Sequence, residues 1–442
     1  MKTQEYFYAL ADRIQNSLEP GENFTCWFSG EHSDFIRLNH AAIRQAGSVS
    51  QGYLQVNLIS KGRQSVFVMG VSRDIEQDGV CLEHLLKKQR DKFESLPVDP
   101  YLLISTTPHS SETVKESQLP DARDIVDEVL SQAKGLDLVG IHAQGSLHRG
   151  FANSFGQRNW LTNHSFNLDF SVYHQQDKAV KAGYAGFAFD AAHLAKEFTF
   201  VKEKLAALSK PAMSLKPGAY KAYMTPSAFG DLIGMLGWGA VSEKALRTKQ
   251  SALSKMRDEG LRLSPKFSLS EHTAQGTGPL LQAQGFMKPD CINLIKAGQL
   301  VGSLVSPRTA KEYSLSTNGA NGSEAPEAYE VAPGDLSRVD ILRELGTGIF
   351  IGNLWYLNYS DRQSARSTGM TRFATFWVED GEIKAPLNVM RFDDSLYHIL
   401  GDNLLALTKE CDFILDAHTY DERSTSSSHL PGALVKDFNL TL

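Results

Sequence analysis

The chain has 442 residues, of which 42% are hydrophobic and 22% are charged, an ordinary balance for a globular protein. At roughly 150 residues per domain, this length predicts two large domains or about three smaller ones. The net charge of -6 is small, which argues against a protein that binds nucleic-acid phosphates through a basic face.

Membrane and disulfide signals are missing from the sequence. No apolar run approaches the ~18 residues that cross a bilayer, and the first residues do not form a secretory signal. The four cysteines, Cys26, Cys81, Cys291 and Cys411, form no C-x-x-C pair. We therefore expect reduced thiols and a cytoplasmic protein that contacts no membrane.

The first 110 residues predict alternating helices and strands. Apolar residues at three- and four-residue spacing predict a helix over 6–18 and a second over 82–96. Two strands flank a turn at 60–63, which indicates a hairpin. The polar stretch 106–120 then predicts a linker.

The middle of the chain predicts a helix, a clear strand and a second helix. Asp121 is placed to cap the first helix. Segment 150–160 is rich in Asn, Ser and Gly and predicts a turn. Alternating apolar residues over 166–172 predict a strand with one buried face, and residues 190–210 predict a long amphipathic helix.

The remaining residues carry many short strand signals. Thr225 followed by Pro226 predicts a helix start, and the Asn-, Gly- and Ser-rich segment 317–333 predicts a long mobile loop. We therefore expect an α+β protein. Its N-terminal mixed α/β region covers 1–210, with a sub-boundary near 106–120, and a large C-terminal β-rich domain with few helices covers 211–442.

Familiar catalytic motifs are not found. The sequence contains no H-E-x-x-H helix motif, no G-x-S-x-G nucleophile elbow and no phosphate-binding P-loop. One polar C-terminal stretch gathers possible metal ligands, namely Asp416, His418, Asp421 and His429. A solvated loop is the interpretation that the composition favours there, and a metal site is the alternative.

Three runs carry a recognisable order. They are D-L-I-G-M-L-G-W-G at 231–239, D-C-I-N-L-I-K-A-G-Q-L-V-G at 290–302 and F-W-V-E-D-G-E-I at 376–383. With these runs the chain resembles the TldD/TldE (PmbA) family of metallopeptidases. The resemblance covers most of the chain, is strongest over 225–442, and the last run is closer to the TldE side.

The resemblance implies that a zinc site has been lost. Catalytic members carry an H-E-x-x-x-H helix with two zinc ligands and the catalytic glutamate, and the matching positions here are Ile233, Gly234 and Trp238. The third ligand is a cysteine, and none occurs in the matching region 420–424. Ile and Trp offer zinc no lone pair and Gly offers no base, so we expect no metal or cofactor in this chain and expect Trp238 to fill the void.

The resemblance therefore implies a non-catalytic, TldE-like subunit that is inactive alone. It would pair with a zinc-holding TldD-like partner in the proteolysis or maturation of extended or unfolded peptides. Two alternatives stay open. One is a stand-alone homodimer that binds peptides, and the other is a hydrolase with a C-terminal site built from the Asp416 to His429 residues named above.

A run of aromatic, Asn and Arg residues at 353–362 is the predicted peptide or partner interface. Such a composition is typical of interfaces, and an edge strand could bind an extended peptide through main-chain hydrogen bonds. The alternative is a strand whose aromatic residues pack in the core. The candidate residues are Asn353, Trp355, Tyr356, Asn358, Arg362 and Arg366.

Overall fold

The computed structural model describes residues 1–175 and 178–441. Its first sheet is built from seven strands of the N-terminal half: β1 (Glu22–Asn39), β2 (Ala42–Ser60), β3 (Arg63–Gly70), β4 (Ser111–Val114), β5 (Asp137–Asn153), β6 (Arg158–Gln175) and β7 (Lys178–Gly186). Their order is β3-β2-β1-β5-β6-β4, and β7 also pairs with β6. Only the short β4 is parallel to its neighbour.

The second sheet has eleven strands: β8 (Gly218–Met224), β9 (Leu269–Glu271), β10 (Ile292–Lys296), β11 (Gln299–Leu300), β12 (Ala328–Val331), β13 (Gly348–Asp361), β14 (Arg366–Glu379), β15 (Glu382–Pro386), β16 (Arg391–Ser395), β17 (Leu404–Leu415) and β18 (Ser427–Leu440). The order is β11-β10-β9-β12-β18-β16-β14-β13-β8. Because β8 also pairs with β18, five of these strands close into a ring.

Four long helices accompany the first sheet: α1 (Thr3–Asn16), α2 (Ile75–Arg90), α3 (Ala122–Gln132) and α4 (Ala191–Leu208). The side chains of Asp121 and Asp190 cap α3 and α4 by accepting from backbone N–H groups. All four predicted helices are confirmed, although α2 begins and ends earlier than its apolar spacing indicated.

Six shorter helices belong to the second half: α5 (Pro226–Gly234), α6 (Glu243–Arg247), α7 (Ser254–Asp258), α8 (Pro307–Tyr313), α9 (Ile341–Leu345) and α10 (Leu396–Ile399). The predicted α+β class, β-rich towards the C-terminus, is confirmed. Within 1–175 and 178–441, no helix is long and apolar enough to cross a bilayer.

The local strand predictions are largely confirmed. Ser60 pairs with Arg63 across the predicted β2–β3 hairpin turn. Phe166, Leu168, Phe170 and Val172 of β6 are all buried, as their alternation predicted. The turn predicted over 150–160 is shorter, because β5 continues to Asn153 and β6 begins at Arg158.

One prediction about a loop is wrong. Segment 317–333 was expected to be a mobile loop, but it contains β12 and most of its residues are buried or half-buried. Glu324 is 2% exposed and accepts hydrogen bonds from Ser242 Oγ at 2.5 Å, Lys244 N at 3.0 Å and Ser306 N at 2.8 Å. Composition alone did not reveal this buried carboxylate.

Three apolar clusters hold the layers together. One packs α1 and α2 on the first sheet, and another packs α5 and the shorter helices on the second sheet. The third lies between the two halves and joins Phe170 and Phe198 to Phe350, Phe376 and Leu434. The chain passes from the first sheet to the second between α4 and β8, and the boundary predicted at 210–211 lies in this connection. The third cluster nevertheless packs both halves against each other. The division into domains stays a prediction.

Candidate functional site

Helix α5 forms where the sequence predicted it. Thr225 Oγ1 accepts from Ala228 N at 3.2 Å and donates to Gly352 O at 2.6 Å, while Pro226 occupies the first helical turn. The regular helix ends at Gly234 and continues as a 3₁₀ turn over Met235–Gly237. The Thr225 hydroxyl therefore caps α5 and also ties it to β13.

The resemblance aligns three positions of this chain with the two zinc ligands and the glutamate of the catalytic motif. These three positions have different surroundings. Ile233 is 1% exposed and packs in the apolar cluster below the helix. Gly234 has open space beside its Cα. Trp238 lies beyond the helix and is 49% exposed, with its ring 6.2 Å from that of Tyr359.

The expectation that Trp238 fills the void left by the zinc site is wrong. Its ring does not fill a void beside α5, because the chain leaves helical geometry after Gly234 and carries the indole to the surface. The three residues do not fit a zinc ion. The Ile233 side chain and Gly234 offer no atom that could coordinate a metal, and the indole nitrogen of Trp238 has no free lone pair. In the described part of the chain, no three His, Cys, Asp or Glu side chains cluster so as to hold a metal ion.

The exposed side of α5 lies along β13 and is bonded to it. β8 pairs with β13 only as far as Ile351, and α5 follows it along the same edge. Asn353 Nδ2 donates to Ser227 Oγ at 2.9 Å, and Leu354 N donates to Asp231 Oδ2 at 3.2 Å. The second bond occupies a main-chain N–H of β13 that a β-strand ligand would otherwise use.

Further along, Tyr359 and Arg362 continue the contact with the 3₁₀ turn. Tyr359 OH donates to Met235 O at 2.8 Å, and Arg362 Nη1 donates to Trp238 O at 2.8 Å. Arg362 also lies over the Tyr359 ring at 5.0 Å. The same side chain therefore links β13 to Trp238.

The predicted interface residues divide into buried and exposed groups. Asn353 is buried, whereas Arg366 is exposed and pairs with Asp393 at 2.5 Å. Trp355 is 51% exposed and Tyr356 is 75% exposed, so core packing is the wrong interpretation for these two rings. Asn358 is exposed as well. Their role in binding a peptide or a partner stays a prediction.

One further cation and a bulge shape this exposed region. Arg372 lies over the Trp355 ring at 4.9 Å. Tyr356 has a φ of 57° and sits where the β13–β14 register shifts between Trp355 and Asn358, so the bulge turns its ring outward. We name the set Trp238, Trp355, Tyr356, Arg362 and Arg372 the aromatic surface.

The alternative C-terminal site is not assembled. His418 Nδ1 contacts Asp416 Oδ1 at 2.5 Å in an exposed pair. His429 lies on β18. Its side chain lines a cleft to which neither Asp416 nor His418 contributes. Burial and nearby carboxylates raise the pKa of the Cys411 thiol to about 11, which disfavours the thiolate that nucleophilic attack requires.

The region that matches the third zinc ligand instead anchors the two halves to each other. Arg423 is 3% exposed and donates to Ser165 O and Oγ, both at 2.9 Å, on β6. Its neighbour Glu422 pairs with the buried Arg149 of β5 at 3.4 Å. Burial lowers the pKa of Arg423 to about 10 and lowers that of Arg149. Sequence reasoning missed these residues, because the contact joins positions more than 250 apart.

Sequence reasoning also missed a cleft between the halves. His272 Nδ1 contacts Glu330 Oε2 at 2.5 Å on its floor, and His429 is in register with Glu330 on the neighbouring strand. No spacing signal connects these residues, because they come together only through the pairing of β9, β12 and β18.

Comparisons with known proteins agree with this architecture. A family model for the PmbA/TldA metallopeptidase C-terminal domain matches residues 217–442, just over half of the chain. Across 98% of this chain and 100% of the other, the fold is similar to that of TldE from Thermococcus kodakarensis, with a TM-score of 0.81 and 14% identity. No curated protein sequence matches the chain.

Two more solved structures share the fold over both full chains. They are putative modulators of DNA gyrase from Thermotoga maritima and from Bacteroides thetaiotaomicron, each with a TM-score of 0.75 and 14% identity. Identities this low demonstrate the fold alone, whereas the family model rests on sequence. The chain therefore belongs to the PmbA/TldA metallopeptidase family, which is the TldD/TldE family that its motifs resemble.

Proposed function

We propose that this chain is a non-catalytic, TldE-like subunit of a metallopeptidase. In this assembly a TldD-like partner holds zinc and cleaves extended or unfolded peptides, in proteolysis or peptide maturation. The observation that carries the proposal is the residue set Ile233, Gly234 and Trp238 at the positions of the catalytic motif. The free state of all four cysteines supports a cytoplasmic location.

The chemistry of these positions supports a role without zinc. A catalytic zinc site uses about three protein ligands and keeps one position open for water. Here the first position is an aliphatic side chain inside the core, and the second carries no side chain that could act as a base. The third is a surface indole on a segment that is no longer helical.

The aromatic surface supports a partner contact. Trp, Tyr and Arg dominate the binding energy of protein interfaces, and here Trp355 and Tyr356 are both more than half exposed. Arg372 and Arg362 stack on neighbouring rings, which holds their side chains in place before binding. Since α5 already occupies polar groups along β13, this surface favours docking of side chains over addition of a peptide strand.

Co-purification tests the proposal. The chain is co-expressed with a family member from the same genome that carries the intact H-E-x-x-x-H motif, and the tagged chain is recovered from the lysate. We expect a stable heterodimer by size-exclusion chromatography. Recovery of a homodimer alone, with no such partner bound, would contradict the proposal and favour a stand-alone peptide-binding protein.

A variant pair locates the contact. Replacing Trp355 and Tyr356 together by Ala should weaken the heterodimer at least tenfold, because truncating two aromatic anchors costs more than about 1.4 kcal/mol. The matched control replaces Val66 and Val68 by Ala, which are 51% and 58% exposed on β3, and should leave the affinity unchanged.

A further inference from the structure

The cleft between the two halves of the chain has the dimensions of a ligand site. Its volume is about 470 Å³, inside the roughly 300–1,000 Å³ range typical of small-molecule pockets. The first half contributes the end of β7, the residue after it and a residue beside β4, and the second half contributes β12, β17, β18 and the turn that follows β9. The lining residues that matter are Lys115, Phe187, His272, Glu330, Phe413 and His429.

One wall of the cleft is aromatic. The rings of Phe187 and Phe413 lie 5.4 Å apart at an angle of 37°, and each comes from a different half of the chain. Ala185 and Ala274 extend this apolar lining. An apolar group of a ligand would therefore pack against one continuous aromatic surface made by both rings.

The cleft lining holds one ammonium, from Lys115, and one carboxylate, from Glu330. The carboxylate of Glu330 is engaged by His272, with Nδ1 to Oε2 at 2.5 Å. The Lys115 ammonium lies 5.0 Å from the centre of the Phe187 ring. Across the described ranges, neither Lys115 nor His429 forms an ion pair. The Glu330 carboxylate is held by His272, so the Lys115 ammonium and the His429 imidazole are the lining groups that we take to contact a ligand carboxylate.

These groups fix the kind of ligand. We propose that the cleft binds an organic carboxylate attached to an apolar or aromatic group, with Lys115 and His429 contacting the carboxylate and the apolar group packing against the wall formed by Phe187 and Phe413. A peptide that ends in a hydrophobic residue with a free carboxyl group has this chemistry, and so does a free aromatic acid. The site lies within one chain and needs no second subunit.

Binding to the purified chain tests the proposal. The probe is a fluorescein-labelled pentapeptide that ends in Phe with a free carboxylate, compared by fluorescence anisotropy with the same peptide as its C-terminal amide. We expect the amide to bind about tenfold more weakly, because a charge-assisted contact is lost. Equal binding of the two peptides would overturn the proposal.

Substitutions assign the binding to the cleft. Lys115→Met and His429→Gln should each weaken the carboxylate peptide by about fivefold to tenfold. Lys196→Met, which removes an exposed charge of α4 outside the cleft, should bind as the unaltered chain does. Lys115 is exposed, so its variant tests binding without disturbing the core. Wild-type affinity in both cleft variants would overturn the assignment.

Competition separates the two sources of the carboxylate. If N-acetylphenylalanine displaces the labelled peptide at an affinity matching that of the unlabelled pentapeptide, the site takes free aromatic acids. If only the pentapeptide displaces it, the site takes peptide C-termini. Both results support the carboxylate chemistry. Because all these measurements use the lone chain, their failure would leave the proposed pairing with a catalytic subunit unaffected.

Discussion

Single residues carry the proposal that this chain holds no zinc. Ile233 places a hydrocarbon in the core at a position that the resemblance aligns with a zinc ligand, and Trp238 lies at the surface, where it contacts Tyr359 and Arg362. The side-chain types at these positions could be read from the sequence. The surroundings of Trp238 could not, because they depend on where α5 stops.

Glu197 of α4 is a residue with an unusual acid strength. Burial is the main cause that raises its pKa to about 7, and the nearby Asp412 raises it further while Arg338 partly offsets this. Below about pH 4.5 the carboxyl is protonated in both the folded and the unfolded chain. As the pH rises towards 7, only the unfolded chain ionises, so the folded state loses stability relative to it.

Replacing Glu197 by Gln should therefore stabilise the protein at high pH. We expect the free energy of unfolding to rise by about 2 kcal/mol at pH 8 and to change little at pH 4. Urea denaturation at both pH values measures the difference. Glu203→Gln, on the exposed side of the same helix, is the control, and an equal gain at both pH values would argue against a shifted Glu197.

Among helices and strands, the sequence predicted structure well where the signal lies within the segment itself, as a helix cap or an alternation of apolar residues. The Thr225-Pro226 start of α5, the Asp121 cap of α3 and the alternation in β6 are such cases. The prediction failed for segment 317–333, whose polar composition suggested mobility. Its order comes from Glu324, which accepts from the N-terminal regions of α6 and α8.

Removing the Glu324 carboxylate should lower the free energy of unfolding, because its hydrogen bonds are lost. Glu324→Ala leaves buried donors on Ser242, Lys244 and Ser306 without an acceptor, so we expect the free energy of unfolding to fall by about 3 kcal/mol or more. Glu324→Gln keeps one acceptor oxygen and should cost less. Urea denaturation measures both, with the exposed Glu83→Ala of α2 as control. A loss in Glu324→Ala no larger than in the control would mean that the segment is not held by this residue.

For the whole molecule, topology creates what no local pattern could predict. The cleft residues are spread from Lys115 to His429 and meet because β12 pairs with β18 and because the end of β7 faces β17. The buried Arg423 likewise joins the second half to β6. The family could be recognised from three short runs, whereas the cleft and the anchor required the three-dimensional arrangement.

The zinc content and peptidase activity of the purified lone chain test whether it is a non-catalytic subunit. The chain is prepared without chelators, analysed for bound metal, and assayed on an unfolded peptide with and without a family member that carries H-E-x-x-x-H. The account predicts substoichiometric zinc, no cleavage by the lone chain, and cleavage only when the partner is present. Stoichiometric zinc together with chelator-sensitive cleavage by the lone chain would contradict it.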